Sequence, residues 1–167
     1  MTLHPTDLTK IRLNPFDIFG KEWGLLTVGT PDSFNTMTIA WGQFGFMWKK
    51  NVITVVVRPQ RYTFEFMEKH PDFTVSFFGD TMREALQLCG SKSGRDINKI
   101  AESGLTPRMT ENGIFFEEAS LVFCAKTIYK TTSEYDSFSD KTIPNEIYQK
   151  KDFHHWYTGE ITAVLEK

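Results

Sequence analysis

Residues 35–42 place short polar side chains next to a large aromatic ring. This stretch reads Asn-Thr-Met-Thr-Ile-Ala-Trp-Gly, with an amide at Asn35, hydroxyls at Thr36 and Thr38, and an indole at Trp41. On an exposed strand edge, such residues offer both hydrogen bonds and apolar contact to a flat heteroaromatic molecule. An ordinary half-buried strand with alternating threonines is the alternative interpretation of the same pattern.

Residues 58–63 read Arg-Pro-Gln-Arg-Tyr-Thr and lie where a predicted strand gives way to a predicted helix. The guanidinium groups of Arg58 and Arg61 match the geometry of a phosphate, and the unpaired amides of a helix start favour an anion. The stretch therefore predicts a phosphate site. Exposed loop arginines without a ligand are the alternative.

Residues 91–96, Ser-Lys-Ser-Gly-Arg-Asp, again combine hydroxyls, cations and a predicted helix start, with Lys99 one turn further on. This stretch could also hold a phosphate. The spacing is not that of a P-loop, and no GxGxxG follows a strand, so the usual nucleotide-binding loops are not indicated. A capped, solvated helix end is the alternative.

Other chemistries find little support in the sequence. There is no GxSxG motif, and Cys89 and Cys124 are far apart without metal-ligand spacing, which predicts buried thiols in a reducing compartment. His154 and His155 are adjacent and would face opposite sides of a strand, so no metal site is expected. The formal net charge of -2 argues against nucleic-acid binding.

The elements that must position these residues are mostly strands. Residues 23–57 are rich in β-branched and aromatic types, and residues 52–57 predict a central strand because they are apolar on both faces. A helix over 63–69 and a strand over 73–78 follow. Two capping-box patterns, at 81–84 and 93–96, predict helices through Leu88 and Glu102.

The second half of the chain predicts antiparallel pairing. Asn112-Gly113 favours a two-residue hairpin turn, and residues 121–130 and 157–165 predict long strands. Residues 131–152 are polar and predict a surface excursion. We expect one mainly β domain over residues 1–167, an antiparallel barrel with peripheral helices, in a cytoplasmic protein without membrane contact.

Taken together, these stretches resemble the flavin reductase-like family, and more closely its flavoredoxin branch. The resemblance rests on residues 35–42, 55–63, 73–78, 90–96 with Lys99, and 154–160. It implies a Greek-key split barrel that binds FMN in a groove near the interface of a homodimer. It also implies NAD(P)H as a possible electron donor and a small molecule or a protein as electron acceptor.

The resemblance assigns the FMN-contacting residues by position. His154 and Trp156 would come from the C-terminal segment of this or the partner subunit. The flavin-bordering and ring-lining residues are Asn35, Thr36, Met37, Thr38, Trp41, Ser76, Phe77, Phe78, His154 and Trp156. The residues for phosphate and ribityl oxygens are Arg58, Arg61, Tyr62, Thr63, Ser91, Lys92, Ser93, Gly94, Arg95 and Lys99. No side chain is assigned as a catalytic acid or base. An NAD(P)H-dependent flavin reductase, an FMN-bound electron carrier and a barrel without flavin are the three interpretations.

Overall fold

A computed structural model describes residues 2–111 and 113–167 of the chain. Strands dominate it, as the β-branched and aromatic runs predict. The strands are β1 (His4–Pro5), β2 (Gly24–Thr30), β3 (Ser33–Ile39), β4 (Gly42–Met47), β5 (Lys50–Val57), β6 (Asp72–Phe77), β7 (Pro107–Thr110), β8 (Gly113–Phe116), β9 (Leu121–Thr132) and β10 (His155–Glu166).

Short helices connect the strands. They are α1 (Pro15–Asp17), which continues as a π-helical turn over Ile18–Glu22, α2 (Tyr62–Met67), α3 (Arg83–Ser91), α4 (Lys99–Ser103) and α5 (Thr142–Ile147). Single 3-10 turns occupy Leu8–Lys10 and Tyr135–Ser137. The strands and helices predicted from periodicity are thus confirmed, with ends shifted by a few residues.

One antiparallel sheet carries the fold. Its hydrogen-bonded order is β3-β2-β6-β9-β10-β5-β4, with β1 added to β10, while β7 and β8 form a separate hairpin. Strand β5 pairs on both sides and its residues 52–57 are buried, as predicted for a central strand. Strand β3 pairs only with β2 and forms an edge, which leaves residues 35–39 at the rim of the sheet.

Each face of the sheet covers its own apolar core. Alternation along β2 sends Leu26 into the larger core, with Phe77 and Phe123, and Leu25 into the smaller one beneath α3. Cys89 and Cys124 are free, and both are buried in the smaller core. The prediction of buried thiols is therefore confirmed.

Both predicted capping boxes are wrong. Helix α3 begins after Met82, which has a left-handed backbone and no side-chain cap, while the Thr81 hydroxyl donates to the Phe78 carbonyl instead. Ser93 accepts from the Arg95 amide in a turn that precedes α4. The side chain of Asn98, which accepts from the Ala101 amide, is the true cap of α4. A threonine or serine can satisfy a nearby turn as readily as a helix start, so the motif alone does not fix the helix.

The β7–β8 pairing confirms a hairpin around the predicted turn, although Asn112 itself lies outside the described residues. The 131–152 stretch is more structured than the predicted surface excursion, because it holds α5 and buries Pro144 and Tyr148. Within the described ranges, no helix is long and apolar enough to cross a membrane.

Candidate functional site

Two cavities meet at Arg61 on the edge of the sheet. We name them the polar cavity, of about 160 Å³, and the aromatic cavity, of about 240 Å³. The polar cavity is lined by Asn35, Gln60, Arg61, Tyr62, Thr63, Ser91, Lys92, Ser93, Gly94 and Lys99. The aromatic cavity is lined by Met37, Thr38, Ile39, Ala40, Trp41, Val56, Arg58, Arg61 and His154. The three stretches singled out in the sequence therefore converge on one place.

The polar cavity is built around a contact between β3, α2 and the 91–94 loop. Asn35 donates from Nδ2 to the Thr63 hydroxyl at 2.7 Å, and both side chains are buried. The side-chain oxygen of Asn35, Oδ1, lies so close to Gly94 that a side chain at position 94 would overlap it. The glycine is therefore required by close approach, and it brings the serine hydroxyls of the loop to the cavity.

Arg61 is half-buried and, among the described residues, has no counterion. In the described chain no carboxylate pairs with its guanidinium, and the buried Nη2 has no hydrogen-bond partner. Burial lowers the pKa of this guanidinium. A buried arginine nitrogen that lacks a partner is costly, and an anionic ligand would supply the missing acceptor.

Lys99 adds a second buried cation to the polar cavity. Its Nζ donates to the carbonyls of Thr36 and Cys89, each at 2.8 Å, and only 5% of the residue is exposed. The Lys99 pKa is lowered to about 8, chiefly by burial, which Cys89 opposes and the nearby Arg61 charge reinforces. The electrostatics of this cavity thus favour a bound anion.

Apart from Arg61 at its junction with the polar cavity, the aromatic cavity offers rings and backbone rather than unpaired charge. The rings of Trp41 and His154 lie with centroids 5.1 Å apart. The Thr38 hydroxyl is not available to a ligand as a donor, because it donates to the Leu86 carbonyl. Arg58 is neutralised by Asp152, which also accepts from Gln60 at 2.6 Å. Such a site suits a flat, weakly polar ring.

Six predicted residues line neither cavity: Thr36, Ser76, Phe77, Phe78, Arg95 and Trp156. Thr36 is buried, and its hydroxyl donates to the Leu26 carbonyl. Ser76, Phe77 and Phe78 are at most 2% exposed and sit inside the two cores, so the expectation that they line the ligand is corrected. Strand β6 is interior and buried on both faces, which explains why these residues cannot reach a ligand. Trp156 lines a neighbouring cavity of about 360 Å³ on the other side of Trp41.

Arg95 is also engaged elsewhere. Its guanidinium lies over the ring of Tyr62 at 4.7 Å and pairs with Glu65. It borders a fourth cavity, of about 530 Å³, and not the polar one. Tyr62 lines both of these cavities and separates the paired arginine from Arg61.

Two residues of the 131–152 stretch were missed. Asp152 pairs with Arg58, and the Tyr148 hydroxyl meets Nδ1 of His154 at 2.7 Å. Arg58 and Asp152 are 94 positions apart, whereas Tyr148 and His154 are six positions apart. No local pattern in the sequence marks Asp152. For Tyr148 the available signal is an aromatic residue within a polar stretch, which indicates a packed side chain.

Solved structures of similar fold include two flavoredoxins. The one from Methanosarcina acetivorans is 21% identical, with a TM-score of 0.67 over 95% of this chain and 75% of that chain. The one from Desulfovibrio vulgaris (Miyazaki F) is 21% identical, with a TM-score of 0.66 over 95% and 74%. An FMN-binding protein from Thermus thermophilus with bound 1-cyclohex-2-enone is 18% identical, with a TM-score of 0.67 over 90% and 73%.

These likenesses show the fold, which is the split barrel expected from the sequence. No curated protein matches the chain. A sequence model described as the flavin reductase like domain matches residues 19–166, which is nearly the whole chain. The chain therefore belongs to the flavin reductase-like family.

Proposed function

We propose that the protein binds FMN across the two cavities and acts as a flavin-dependent oxidoreductase, with its phosphate in the polar cavity and its ring in the aromatic cavity. The observation that carries this proposal is the buried Nη2 of Arg61, which has no hydrogen-bond partner and lies at the junction of the cavities, near Lys99. Family membership and the FMN-binding and flavoredoxin relatives of the same fold support it.

The donor set of the polar cavity suits a phosphate monoester. Arg61 and Lys99 supply positive charge, while the Ser93 hydroxyl supplies a neutral donor beside the exposed cation of Lys92. The Ser91 hydroxyl already donates to the Gln87 carbonyl at 2.8 Å. Charged donors to a phosphate form shorter and stronger hydrogen bonds than neutral pairs do. A phosphate bound there would complete the hydrogen bonds that Arg61 lacks.

The aromatic cavity suits the isoalloxazine ring. Residues 37–41 run along it at the sheet edge, and Trp41 and His154 provide aromatic surface. Bound FMN would supply the redox chemistry, and the protein orients the ring and sets the charge around it. Asp152 neutralises Arg58. Among the described residues that line the aromatic cavity, Arg61 is therefore the unpaired cation next to the proposed ring position.

NAD(P)H is the proposed electron donor, as in an NAD(P)H-dependent flavin reductase. The test is rapid mixing of the FMN-loaded protein with NADH or NADPH. Bleaching of the flavin faster than that of free FMN, with saturation in the nicotinamide, would support the reductase. Bleaching no faster than that of free FMN would contradict it.

An electron carrier reduced by a protein partner is the second candidate. It is favoured by the pairing of the cations that flank the proposed site, because Arg58 pairs with Asp152 and Arg95 with Glu65. A dinucleotide donor carries additional phosphates that those arginines could otherwise attract. Reduction by dithionite or a ferredoxin-type donor, without any response to nicotinamides, would support the carrier.

We further propose a homodimer with FMN near the subunit interface. The hairpin of β4 and β5 exposes Phe46 and Trp48, which are 70% and 55% exposed, and the Trp48 ring contacts Tyr129. Exposed aromatic groups of this size commonly mark a protein interface. The mass of the protein in solution, measured by light scattering, tests the dimer.

A further inference from the structure

The C-terminal part of the chain contains a row of hydrogen bonds that ends at His154. The Trp156 indole nitrogen donates to the Ser133 hydroxyl at 2.6 Å. The Ser133 hydroxyl acts as a donor that lowers the pKa of Tyr148, and the Tyr148 hydroxyl meets Nδ1 of His154 at 2.7 Å. The row joins the 131–152 stretch to a residue of the aromatic cavity.

The chemistry of the first member gives the row a direction. An indole N–H can only donate, so Ser133 accepts from Trp156 and its own hydrogen is available for Tyr148. The backbone N–H of His154 also faces the Tyr148 oxygen. Because both groups act on the Tyr148 oxygen as donors, its single hydrogen is left for Nδ1 of His154.

We propose that this row fixes His154 as the neutral Nε2–H tautomer and that its Nε2–H donates into the aromatic cavity, with Tyr148 as a positioning residue. In a neutral imidazole one nitrogen accepts and the other donates, so a hydrogen bond accepted at Nδ1 leaves the hydrogen on Nε2. Among the described residues, Nε2 has no hydrogen-bond partner and is not sealed in the interior. The residue lines the aromatic cavity beside Trp41.

The groups that face His154 keep it uncharged. Burial, and then the positive charge of Arg58, lower its pKa to about 4, against a smaller opposing effect of Asp152. Burial raises the pKa of Tyr148. Both side chains are therefore neutral around pH 7, and the hydrogen that His154 presents is a hydrogen-bond donor without net charge.

The ligand that this donor would recognise carries a neutral acceptor, such as a carbonyl oxygen or an unprotonated ring nitrogen. The isoalloxazine of FMN carries both, so the inference rests on the proposed function where the ligand is concerned. The tautomer does not depend on the ligand, because every member of the row belongs to this chain.

The experiment is long-range ¹H–¹⁵N correlation of the imidazole groups in the ¹⁵N-labelled protein at pH 7, first without FMN. His154→Asn assigns the signals. We expect a single Nε2–H tautomer for His154 in the wild type, and an averaged or reversed tautomer in Tyr148→Phe. Tyr135→Phe removes a hydroxyl from the same stretch, bonded to Asn145, and should leave the His154 signals unchanged.

A wild-type Nδ1–H tautomer, or an unchanged spectrum in a folded Tyr148→Phe, would overturn the inference. If Tyr148→Phe does not fold, Ser133→Ala and the wild-type spectrum decide it, since Ser133→Ala removes the donor to Tyr148. Added FMN should then shift the Nε2 signal. An unshifted signal while FMN stays bound to the protein overturns the donation to the ligand. Failure to retain FMN contradicts the proposed function, and the spectra without ligand then decide the tautomer.

Discussion

Asn35 donates from Nδ2 to the Thr63 hydroxyl across 2.7 Å and so ties the edge strand β3 to the first turn of helix α2 inside the protein. The same amide abuts Gly94 through its oxygen. Three chain segments separated in sequence thus share one side chain. This shared contact holds the polar cavity in shape before any ligand arrives, which lowers the ordering cost of binding.

Gly94→Ala should disturb that contact. The new methyl group would overlap the Asn35 oxygen, and overpacking of this kind costs about 1 to 3 kcal/mol. We expect lower stability in urea unfolding, and about 2- to 13-fold weaker FMN binding if half of that cost falls on the site. Gly20→Ala is the control, because nothing lies within 4 Å of its added carbon. Wild-type FMN affinity in Gly94→Ala would contradict the account.

Arg61→Gln should weaken FMN binding and stabilise the ligand-free protein. A hydrogen bond to a charged group contributes about 1.5 to 3 kcal/mol, or roughly a 10- to 150-fold change in Kd. Without ligand, the loss of the unpartnered Nη2 should raise the free energy of unfolding by about 1 to 3 kcal/mol. Flavin fluorescence titration and urea unfolding measure the two effects.

The matched control for Arg61→Gln is Arg95→Gln, which removes an exposed arginine paired with Glu65. It should leave the FMN affinity within about twofold, as expected for an exposed ion pair. Equal losses in the two variants would mean that Arg61 acts only through the overall charge of the surface.

FMN binding should weaken as the pH rises above 8. The Lys99 pKa is lowered to about 8 in the free protein, so its ammonium is present below that pH and lost above it. The phosphate is a dianion across this range, since its second pKa is about 6. By linkage, the Kd of FMN should rise by up to about tenfold per pH unit above 8.

Riboflavin, which lacks the phosphate, serves as the control for Lys99. Its affinity should stay flat between about pH 7 and pH 9 while that of FMN falls. Lys92→Met should keep the pH dependence, because Lys92 is exposed and outside the buried pair of cations. A flat FMN curve would show that Lys99 does not contribute to phosphate binding.

How far the sequence anticipates this site depends on the range of each interaction. Composition and alternation are local, and they predict β5 as a central strand. The convergence of the three stretches is implied by the family resemblance and not by any local pattern. The neutralisation of Arg58 by Asp152 joins residues 94 positions apart, and no local pattern reveals it. Burial of Ser76 follows from strands on both sides of β6, which is a property of the sheet order.

The predictions of two helix starts are wrong for a related reason. Ser93 and Thr81 fit the capping pattern, yet each hydroxyl bonds a turn nearby, and Asn98 caps α4. Several side chains compete for the same backbone amides, and packing chooses between them. Sequence reasoning therefore locates the phosphate-side loop without fixing its shape.

His154→Asn should flatten the acid side of the stability curve. The His154 pKa is about 4 in the folded protein and 6.5 in the unfolded chain, so the unfolded chain binds the extra proton. This residue therefore lowers stability as the pH falls from about 6.5 to 4, and the loss is roughly 2 to 3 kcal/mol by pH 4.5. Urea unfolding at pH 7 and pH 4.5 measures it. The control is His155→Asn, which changes the neighbouring histidine. It should lose as much unfolding free energy between pH 7 and pH 4.5 as the wild type does.

Phe46→Glu should separate the proposed dimer. A carboxylate in place of a 70% exposed ring would be buried in the apolar interface, which is unfavourable without a partner. Light scattering should give the mass of one chain for the variant and two for the wild type, with weaker FMN binding in the variant. Met109→Glu, on the separate β7–β8 hairpin, should remain dimeric. A monomeric wild type would contradict the dimer.

The most direct measurement compares FMN and riboflavin binding to the purified, flavin-free protein at pH 7 by fluorescence titration. The account predicts one FMN per chain, bound at least about tenfold more tightly than riboflavin, because the unpaired Arg61 and Lys99 engage the phosphate. Equal affinities for the two flavins, or no retention of either, would contradict it.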